Sequence, residues 1–219
     1  MFRQRLRLWF AKEGLLRFIS HHDLMRLFER ALRRSGLPLK LSEGFNPRPV
    51  MSFASALALG VESRGECAEV ELTEWVSPTR ALRDVARRMP DGIRVFNVQS
   101  VGYGEKAEVV QAEYSVRLGL VPEDLPSKLG AFMDSSSATV ERLTKSGVKS
   151  VDVRGFVRDL KLDGDTVRMI LDVSPAGSVR PEEVLEALLK GPVRTLAPLM
   201  TIRTRLRLSA PLSSQGESK

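Results

Sequence analysis

Two halves of this chain carry the same order of sequence patterns, strand–helix–strand–strand–helix–strand, and this repetition restricts the folds that it can adopt. In the first half, residues 2–10 alternate apolar side chains with arginine and tryptophan, the period of two that is typical of a strand. Ser20 and Ser77 are predicted to cap two helices, 21–35 and 78–89. The other strands of this half are predicted over 37–41 with 51–59, over 66–73 and over 93–101.

The second half repeats this order without repeating the residues. Strands are predicted over 112–118, 139–144, 166–173 and 201–208, and helices over 122–134 and 180–189. We therefore expect an α+β fold of two tandem ferredoxin-like (βαββαβ) domains with antiparallel sheets. The N-terminal domain is predicted to span 1–105 and the C-terminal domain 106–210, with the linker near 102–109 and a disordered tail over 211–219.

Positive charge is concentrated at the start of the chain. The 34 Lys and Arg residues exceed the 27 Asp and Glu residues by seven. Residues 1–48, with eleven basic and four acidic side chains, hold this whole excess. A cationic field confined to one part of a protein attracts an anionic partner, and a nucleic-acid backbone is the commonest one.

Arginines on the predicted strands form the first candidate site. In a βαββαβ domain both helices cover one face of the sheet, so arginines that alternate with apolar residues are predicted to line the other face. Two such faces would form a cleft whose guanidinium groups bind phosphates. The residues assigned to this cleft are Arg3, Arg5, Arg7, Arg203, Arg205 and Arg207. The alternative is that they pair with Asp or Glu of neighbouring strands, or are simply solvated.

The first predicted helix offers a second basic surface. Steps of 100° per residue bring one histidine and three arginines together, opposite an apolar stripe. The basic side chains are His22, Arg26, Arg30 and Arg33, and the stripe consists of Leu24, Leu27, Phe28 and Ala31. The alternative is an ordinary exposed face with diffuse counterions.

The loop 42–49 (SEGFNPRP) is the third candidate site. Gly44 permits a positive φ, and two prolines stiffen the exit of the loop. Phe45 is predicted to stack on a base, Asn46 to contact a base edge and Arg48 to hold a phosphate. The alternative is a rigid connector with Phe45 inserted in the core.

Among possible catalytic residues, the sequence points to His21. At a helix start, this imidazole could act as a general base on a ribose 2′-hydroxyl in metal-independent RNA cleavage, or simply hydrogen-bond the neighbouring loop. The sequence has no Cys/His cluster with metal-ligand spacing, so neither a metal nor a cofactor is predicted. With the single Cys67 and no apolar run long enough for a signal peptide or membrane span, we expect a cytoplasmic protein.

Three segments resemble one bacterial family. Residues 12–34 (KEGLLRFISHHDLMRLFERALRR), 35–53 (SGLPLKLSEGFNPRPVMSF) and 59–66 (LGVESRGE) resemble the radical-SAM-linked protein family, a domain of unknown function encoded beside or fused to a radical SAM protein. The resemblance implies a radical SAM protein as a partner. It does not imply radical chemistry in this chain, because one cysteine cannot supply the three thiolates that anchor that cluster.

The resemblance also selects residues. Those that match the family motif are Ser20, His21, Asp23, Arg26, Arg30, Arg33, Arg34, Gly44, Phe45, Asn46 and Pro47. Arg34 joins the phosphate-binding candidates on this basis. The chain departs from the family at His22, where relatives usually have Leu, and at Arg48, which often corresponds to His. The tandem architecture is also similar, at the level of fold alone, to CRISPR repeat-processing endoribonucleases.

Three functions are compatible with these patterns. The leading hypothesis is an RNA-binding accessory protein that presents tRNA or rRNA to a radical SAM modification enzyme. The second is an endoribonuclease with His21 as general base. The third is a protein–protein adaptor that docks on the radical SAM partner without touching nucleic acid.

Overall fold

A computed structural model describes residues 4–102, 105–144, 147–193 and 198–209, and for Pro198 and Leu199 the backbone alone. The chain has a mixed α+β structure, with mostly antiparallel strands and, in these ranges, four α-helices. Residues 4–109 with 207–209 form one compact unit, and residues 110–206 form a second. Across the described ranges, no helix is long and apolar enough to cross a membrane. Arg3 and the predicted tail, 211–219, lie outside the described residues.

The first unit contains six main elements. In chain order they are strand β1 (Gln4–Lys12), helix α1 (His21–Arg34), strands β2 (Met51–Phe53) and β3 (Glu62–Leu72), helix α2 (Pro78–Ala86) and strand β4 (Ile93–Val101). Strand β1 lies between β3 and β4 and is antiparallel to both. Val70 of β3 is paired with both Leu6 of β1 and Met51 of β2, so β2 lies on the other side of β3.

The alternation of β1 determines what the first unit buries. Leu6, Leu8 and Phe10 are at most 2% exposed and pack in the core. The predicted apolar stripe of α1 is confirmed at Leu24, Phe28 and Ala31, whereas Leu27 is only partly buried and Leu32 is fully buried beside the stripe. Burial of such side chains contributes about 1.5–3 kcal/mol each, which fixes α1 against the sheet.

The ends of α1 are set by local chemistry. Ser20 is the predicted N-cap, and its Oγ accepts a hydrogen bond from the Asp23 main-chain N–H at 3.1 Å. The helix stops before Gly36, whose φ of 71° is left-handed and therefore favours glycine. Between these two ends, the middle of the helix packs on the core, where the rings of Phe28 and Phe10 have centroids 4.7 Å apart.

The second unit contains eight main elements. They are β5 (Val109–Leu118), α3 (Leu125–Asp134), β6 (Thr139–Thr144), β7 (Gly147–Asp152), β8 (Val157–Asp163), β9 (Thr166–Asp172), α4 (Pro181–Leu189) and β10 (Pro198–Leu208). The strand order is β10–β5–β9–β8, and β6 with β7 forms a separate two-stranded sheet.

One strand of the second unit differs from the sequence prediction. The segment predicted to supply the second strand of the main sheet is β6. In the part of the chain that the structure describes, β6 pairs with β7 alone, and β8 takes its predicted place in the sheet. The pattern of β8 is hard to recognise because a register shift between Val157 and Asp159 interrupts the alternation. Its buried residues, Val157 and Leu160, are consequently three positions apart.

Candidate functional site

Arginines of β1 make ion pairs with the neighbouring strand. Arg7 donates from Nε and Nη2 to Glu69 Oε1, at 2.9 and 2.8 Å. Arg5 Nη2 donates to Glu71 Oε1 at 2.8 Å, and its Nη1 lies 4.0 Å from Glu69. Both glutamates are nearly buried. Of the two arrangements considered for the strand arginines, Arg5 and Arg7 therefore show pairing with carboxylates of an adjacent strand.

Glu71 links this network to the loop that follows α1. Its carboxylate also accepts a hydrogen bond from Lys40 Nζ at 2.7 Å. Burial raises the pKa of Glu71, but the hydrogen bonds from Lys40 and Arg5 outweigh it, so the pKa lies below its ordinary value. The main chain of Glu71 accepts from the Lys40 N–H and donates to the Val50 carbonyl, at 2.9 and 3.0 Å. The loop therefore begins and ends on β3.

The arginines of β10 have different environments from one another. Arg203 is 3% exposed, whereas Arg205 and Arg207 are exposed. Arg207 falls in the first unit, and the other two fall in the second. That these side chains share a cleft with those of β1 stays a prediction.

The arginines of α1 lie on an exposed face. Arg26, Arg30 and Arg33 follow one another at helical spacings of four and three residues, and all are exposed. Within the described residues, no ion pair or hydrogen bond engages the guanidinium of Arg26 or Arg30. In this they differ from the β1 arginines, which are held by short ion pairs.

The loop 42–49 is closed at its base and exposed at its tip. Leu41 and Pro49 form a β-bridge, and the Ser42 N–H donates to the Arg48 carbonyl at 2.7 Å. Gly44 has a φ of 118°, a conformation that favours glycine. The next residue, Phe45, is fully exposed, with a relative accessibility of 106%. Insertion of Phe45 into the core, the alternative considered for this loop, does not occur.

The exit of the loop packs against α1. Arg33 donates from Nη2 to the Pro47 carbonyl, and Arg48 Nη1 lies 3.7 Å from Glu29 Oε1. These contacts define a polar cavity of about 380 Å³, called here the α1–loop cleft. Its lining residues are Arg26, Glu29, Arg33, Asn46, Pro47 and Arg48. Two sites predicted independently, the helix face and the loop, are thus brought together in the structure.

Arg34 points away from this cleft. Its Nε donates to the Arg30 carbonyl at 3.3 Å, and its Nη2 donates to the Arg88 carbonyl at 3.4 Å, beyond the end of α2. Arg34 thus joins the end of α1 to the end of α2. Its predicted phosphate contact finds no support in this placement.

The candidate base His21 packs against an aromatic core residue. Its ring is half-buried and meets Phe53 edge-on, with centroids 5.4 Å apart. His22 is exposed. The Asp23 carboxylate accepts from Ser20 Oγ at 2.7 Å, and this hydrogen bond lowers the pKa of Asp23. Among the described residues, no carboxylate or hydroxyl hydrogen-bonds the His21 ring to orient it as a base.

A larger cavity, of about 610 Å³, lies in the second unit. It is formed by α3, the end of α4 and the start of β6, with Phe132 and Leu188 among its apolar residues. Lys128, at its rim, pairs with Asp124 at 2.8 Å. This cavity was not predicted from the sequence and brings together none of the predicted site residues.

Sequence reasoning did not identify the acidic partners of either arginine site. Glu69 and Glu71 alternate with apolar residues in β3 as Arg5 and Arg7 do in β1, and that matching alternation was a usable signal. Glu29 interrupts the basic face of α1, but nothing in the sequence placed it opposite Arg48. Over the described residues, no group of three or more His, Cys, Asp or Glu side chains is arranged to hold a metal ion.

Comparison with known proteins places the chain in a family. No match exists among curated proteins. Residues 5–181, however, match the family model described as an uncharacterized protein conserved in bacteria, DUF2344. The match includes every element of the first unit from Arg5 onward, and with them the whole α1–loop cleft. Because it covers most of the chain, this chain belongs to the DUF2344 family of bacterial proteins.

Proposed function

We propose that this chain is an RNA-binding accessory protein that presents tRNA or rRNA to a radical SAM modification enzyme. One observation carries the RNA-binding part: a fully exposed Phe45 lies two residues from the cleft residue Pro47, and the cleft is lined by exposed arginines of α1. An exposed aromatic ring close in the chain to a cleft with exposed guanidinium groups is a combination suited to single-stranded nucleic acid, through base stacking and phosphate contacts.

The distribution of charge supports RNA over an acidic protein partner. Arg26 and Arg30 make no ion pair within the described part of the chain, so they can neutralise phosphates without first breaking an internal contact. The Asn46 side chain at the same cleft adds a donor and an acceptor suited to base edges. An acidic protein surface would use the arginines but would have no particular use for the exposed ring and amide.

The architecture is compatible with the proposal. We infer that each unit is a ferredoxin-like domain, because the strand orders β4–β1–β3–β2 and β10–β5–β9–β8 both follow from a βαββαβ connection. In the second unit, the β6–β7 hairpin would be an insertion between α3 and β8. Folds of this class host many functions, so the proposal rests on the cleft and not on the architecture.

The radical SAM partner is proposed from the resemblance of residues 12–66 to the radical-SAM-linked family. In this chain the single Cys67 is buried, and burial raises the pKa of its thiol to about 12. Such a thiol is a poor thiolate ligand, which is consistent with an accessory role beside an enzyme that holds its own cluster. Co-expression with the radical SAM protein encoded nearby should yield a complex that co-purifies.

The RNA-binding proposal is tested by fluorescence anisotropy with labelled single-stranded RNA over a range of salt concentrations. Affinity should fall steeply with salt, because each phosphate contact contributes about 0.7 to the log–log slope for single strands. The double variant Arg26→Ala/Arg30→Ala should weaken binding and reduce the slope by about one to two units. Circular dichroism should show an unchanged fold.

The matched control is Arg87→Ala/Arg117→Ala, which removes the same charge from two exposed arginines that lie neither in the cleft nor on α1. It should leave both affinity and slope close to those of the wild type. Equal losses in the two double variants would place binding elsewhere on the protein. An RNA affinity that does not respond to salt would contradict the proposal. If the protein purified at low salt has an absorbance spectrum free of RNA and carries the radical SAM partner with it, the protein–protein adaptor hypothesis would be favoured.

The endoribonuclease hypothesis has its own test. Labelled RNA incubated in EDTA with wild type or with His21→Ala should give identical profiles, since we expect this residue to contribute packing against Phe53. Cleavage by the wild type that is lost in His21→Ala would establish catalysis instead.

A further inference from the structure

One acidic side chain interrupts the α1–loop cleft. Glu29 lies among Arg26, Arg33 and Arg48, and its side chain is 17% exposed. A carboxylate at this position lowers the affinity of the cleft for phosphate, because it repels the anion and partly cancels the field of the arginines. If the cleft bound only the RNA backbone, its affinity would be higher without Glu29.

The Glu29 carboxylate also has unused acceptor capacity. Its distance of 3.7 Å from Arg48 Nη1 is that of an ion pair and exceeds hydrogen-bond length. Within the described residues, no hydrogen bond reaches its oxygens, although an ionised carboxylate has about four acceptor sites. A partly buried acceptor of this kind is suited to N–H donors supplied by a ligand.

We propose that Glu29 selects an unpaired guanine base at the α1–loop cleft. The Watson–Crick edge of guanine presents two adjacent donors, N1–H and N2–H, which can bind the two oxygens of one carboxylate in parallel. Adenine and cytosine each offer a single amino group beside an acceptor nitrogen, and uracil offers one N–H between two carbonyls. Only guanine therefore satisfies this carboxylate without repulsion.

The neighbouring groups complement the rest of the base. The Asn46 amide and the Arg48 guanidinium line the same cleft and can donate to O6 and N7 of guanine, the acceptors that Arg and Lys contact most often in nucleic acids. Phe45, exposed at the tip of the loop, provides a ring on which an unstacked base can lie. This inference rests on the proposed RNA binding and adds the base that is recognised.

The competing explanation is that Glu29 only holds Arg48 in place. In that case its loss would change the affinity for every RNA alike, through the position of Arg48. Base selection predicts a change that depends on the base, so Glu29→Gln separates the two. The substitution keeps the shape of the side chain but replaces one of the two acceptor oxygens with an NH2 donor and removes the negative charge. The side chain can then no longer accept both guanine donors.

The experiment measures anisotropy with short labelled uridine-rich RNAs that carry one central guanosine, adenosine, cytidine or uridine. Wild type should prefer the guanosine RNA by about tenfold, the equivalent of roughly 1.4 kcal/mol, within the range of a bidentate base contact. Inosine, which lacks the N2 amino group but keeps N1–H and O6, should lose most of this preference. That comparison leaves the protein unaltered.

Glu29→Gln should bind the guanosine RNA more weakly and the other three as tightly as wild type or more tightly, because it removes a repulsive charge. The control Glu43→Gln changes an exposed carboxylate of the loop 42–49 that does not line the cleft, and it should keep the guanosine preference. Equal wild-type affinities for the four RNAs would overturn the inference and leave RNA binding intact. So would a uniform loss in Glu29→Gln. Failure to bind any of them would overturn both proposals.

Discussion

Two sets of arginines in the first unit have the same chemistry and opposite surroundings. On β1, Arg5 and Arg7 face the carboxylates of Glu71 and Glu69 at 2.8 Å and are largely buried. On α1, Arg26 and Arg30 are exposed and make no ion pair within the described ranges. The positions of arginines in a sequence therefore do not show which of them can bind a ligand. This depends on whether the fold places a carboxylate beside them. The β1 set contributes to the fold, and the α1 set is available for binding.

The largest expected effect concerns the β1 set. Glu69→Ala should lower the free energy of unfolding by about 3 kcal/mol, because it leaves the largely buried guanidinium of Arg7 without its partner. Urea denaturation monitored by circular dichroism measures the loss. Glu43→Ala, which removes an exposed carboxylate, should cost less than about 0.5 kcal/mol. Similar losses in both variants would show that the β1 pairs are no different from surface charges.

The next effect concerns binding alone. Phe45→Ala should weaken binding of single-stranded RNA by about 1–3 kcal/mol, the contribution of one base stacked on an aromatic ring. Its stability should stay unchanged, since the ring is fully exposed. Trp75→Ala removes another exposed aromatic residue of the first unit and should leave RNA affinity unaltered. If Phe45→Ala lowered stability and left RNA affinity unchanged, Phe45 would have a structural role and not a role in base stacking.

A smaller effect should appear in the pH dependence of stability. The folded-state pKa of Glu71 lies below its unfolded value, so ionised Glu71 stabilises the fold at neutral pH. This stabilisation is present above the unfolded pKa and is lost as the pH falls through the folded pKa. Urea midpoints measured from neutral to acidic pH should therefore decline less steeply in Glu71→Gln than in wild type. Parallel pH profiles for the two proteins would contradict the assignment.

The smallest expected effect concerns the Cys67 thiol, which should not be alkylated in the native protein. Cys67 belongs to β3, paired with Trp9 and two residues before Glu69, and its pKa is raised to about 12 by burial. In the native protein at mildly alkaline pH its thiol should resist alkylation, whereas it should react readily in urea. Mass spectrometry of samples treated with iodoacetamide measures this difference. Rapid labelling of the native protein would show that β3 opens, and that the β1 pairs are not permanently buried.

Local features of the first unit could be predicted from the sequence. The cap Ser20 defined the start of α1, and the predicted end at residue 35 directly precedes the left-handed Gly36, because such signals act within a few residues of the helix ends. The partners of Arg5 and Arg7 could not be predicted with the same reasoning, since Glu69 is separated from Arg7 by 62 positions and meets it only through strand register. Pairing across a sheet is a property of the whole fold.

The candidate site shows the same division. The exposed cations of α1 followed from helical periodicity, and the turn at Gly44 followed from residue type. The contacts that join them, Arg33 with Pro47 and Arg48 with Glu29, depend on how the loop folds back onto the helix. In the second unit, the bulge in β8 concealed a strand for a related reason, because its register depends on its neighbour β9.

Glu71 connects the ion pairs of β1 to the loop that follows α1. Its side chain is fixed by Arg5 and Lys40, while its main chain binds both ends of the loop, at Lys40 and Val50. The base of the loop that bears Phe45 is therefore hydrogen-bonded to β3 on both sides. Less conformational entropy is lost when a ligand binds a loop that is already ordered. The hydrogen bonds between Glu71 and the base of this loop would therefore increase its affinity for a ligand.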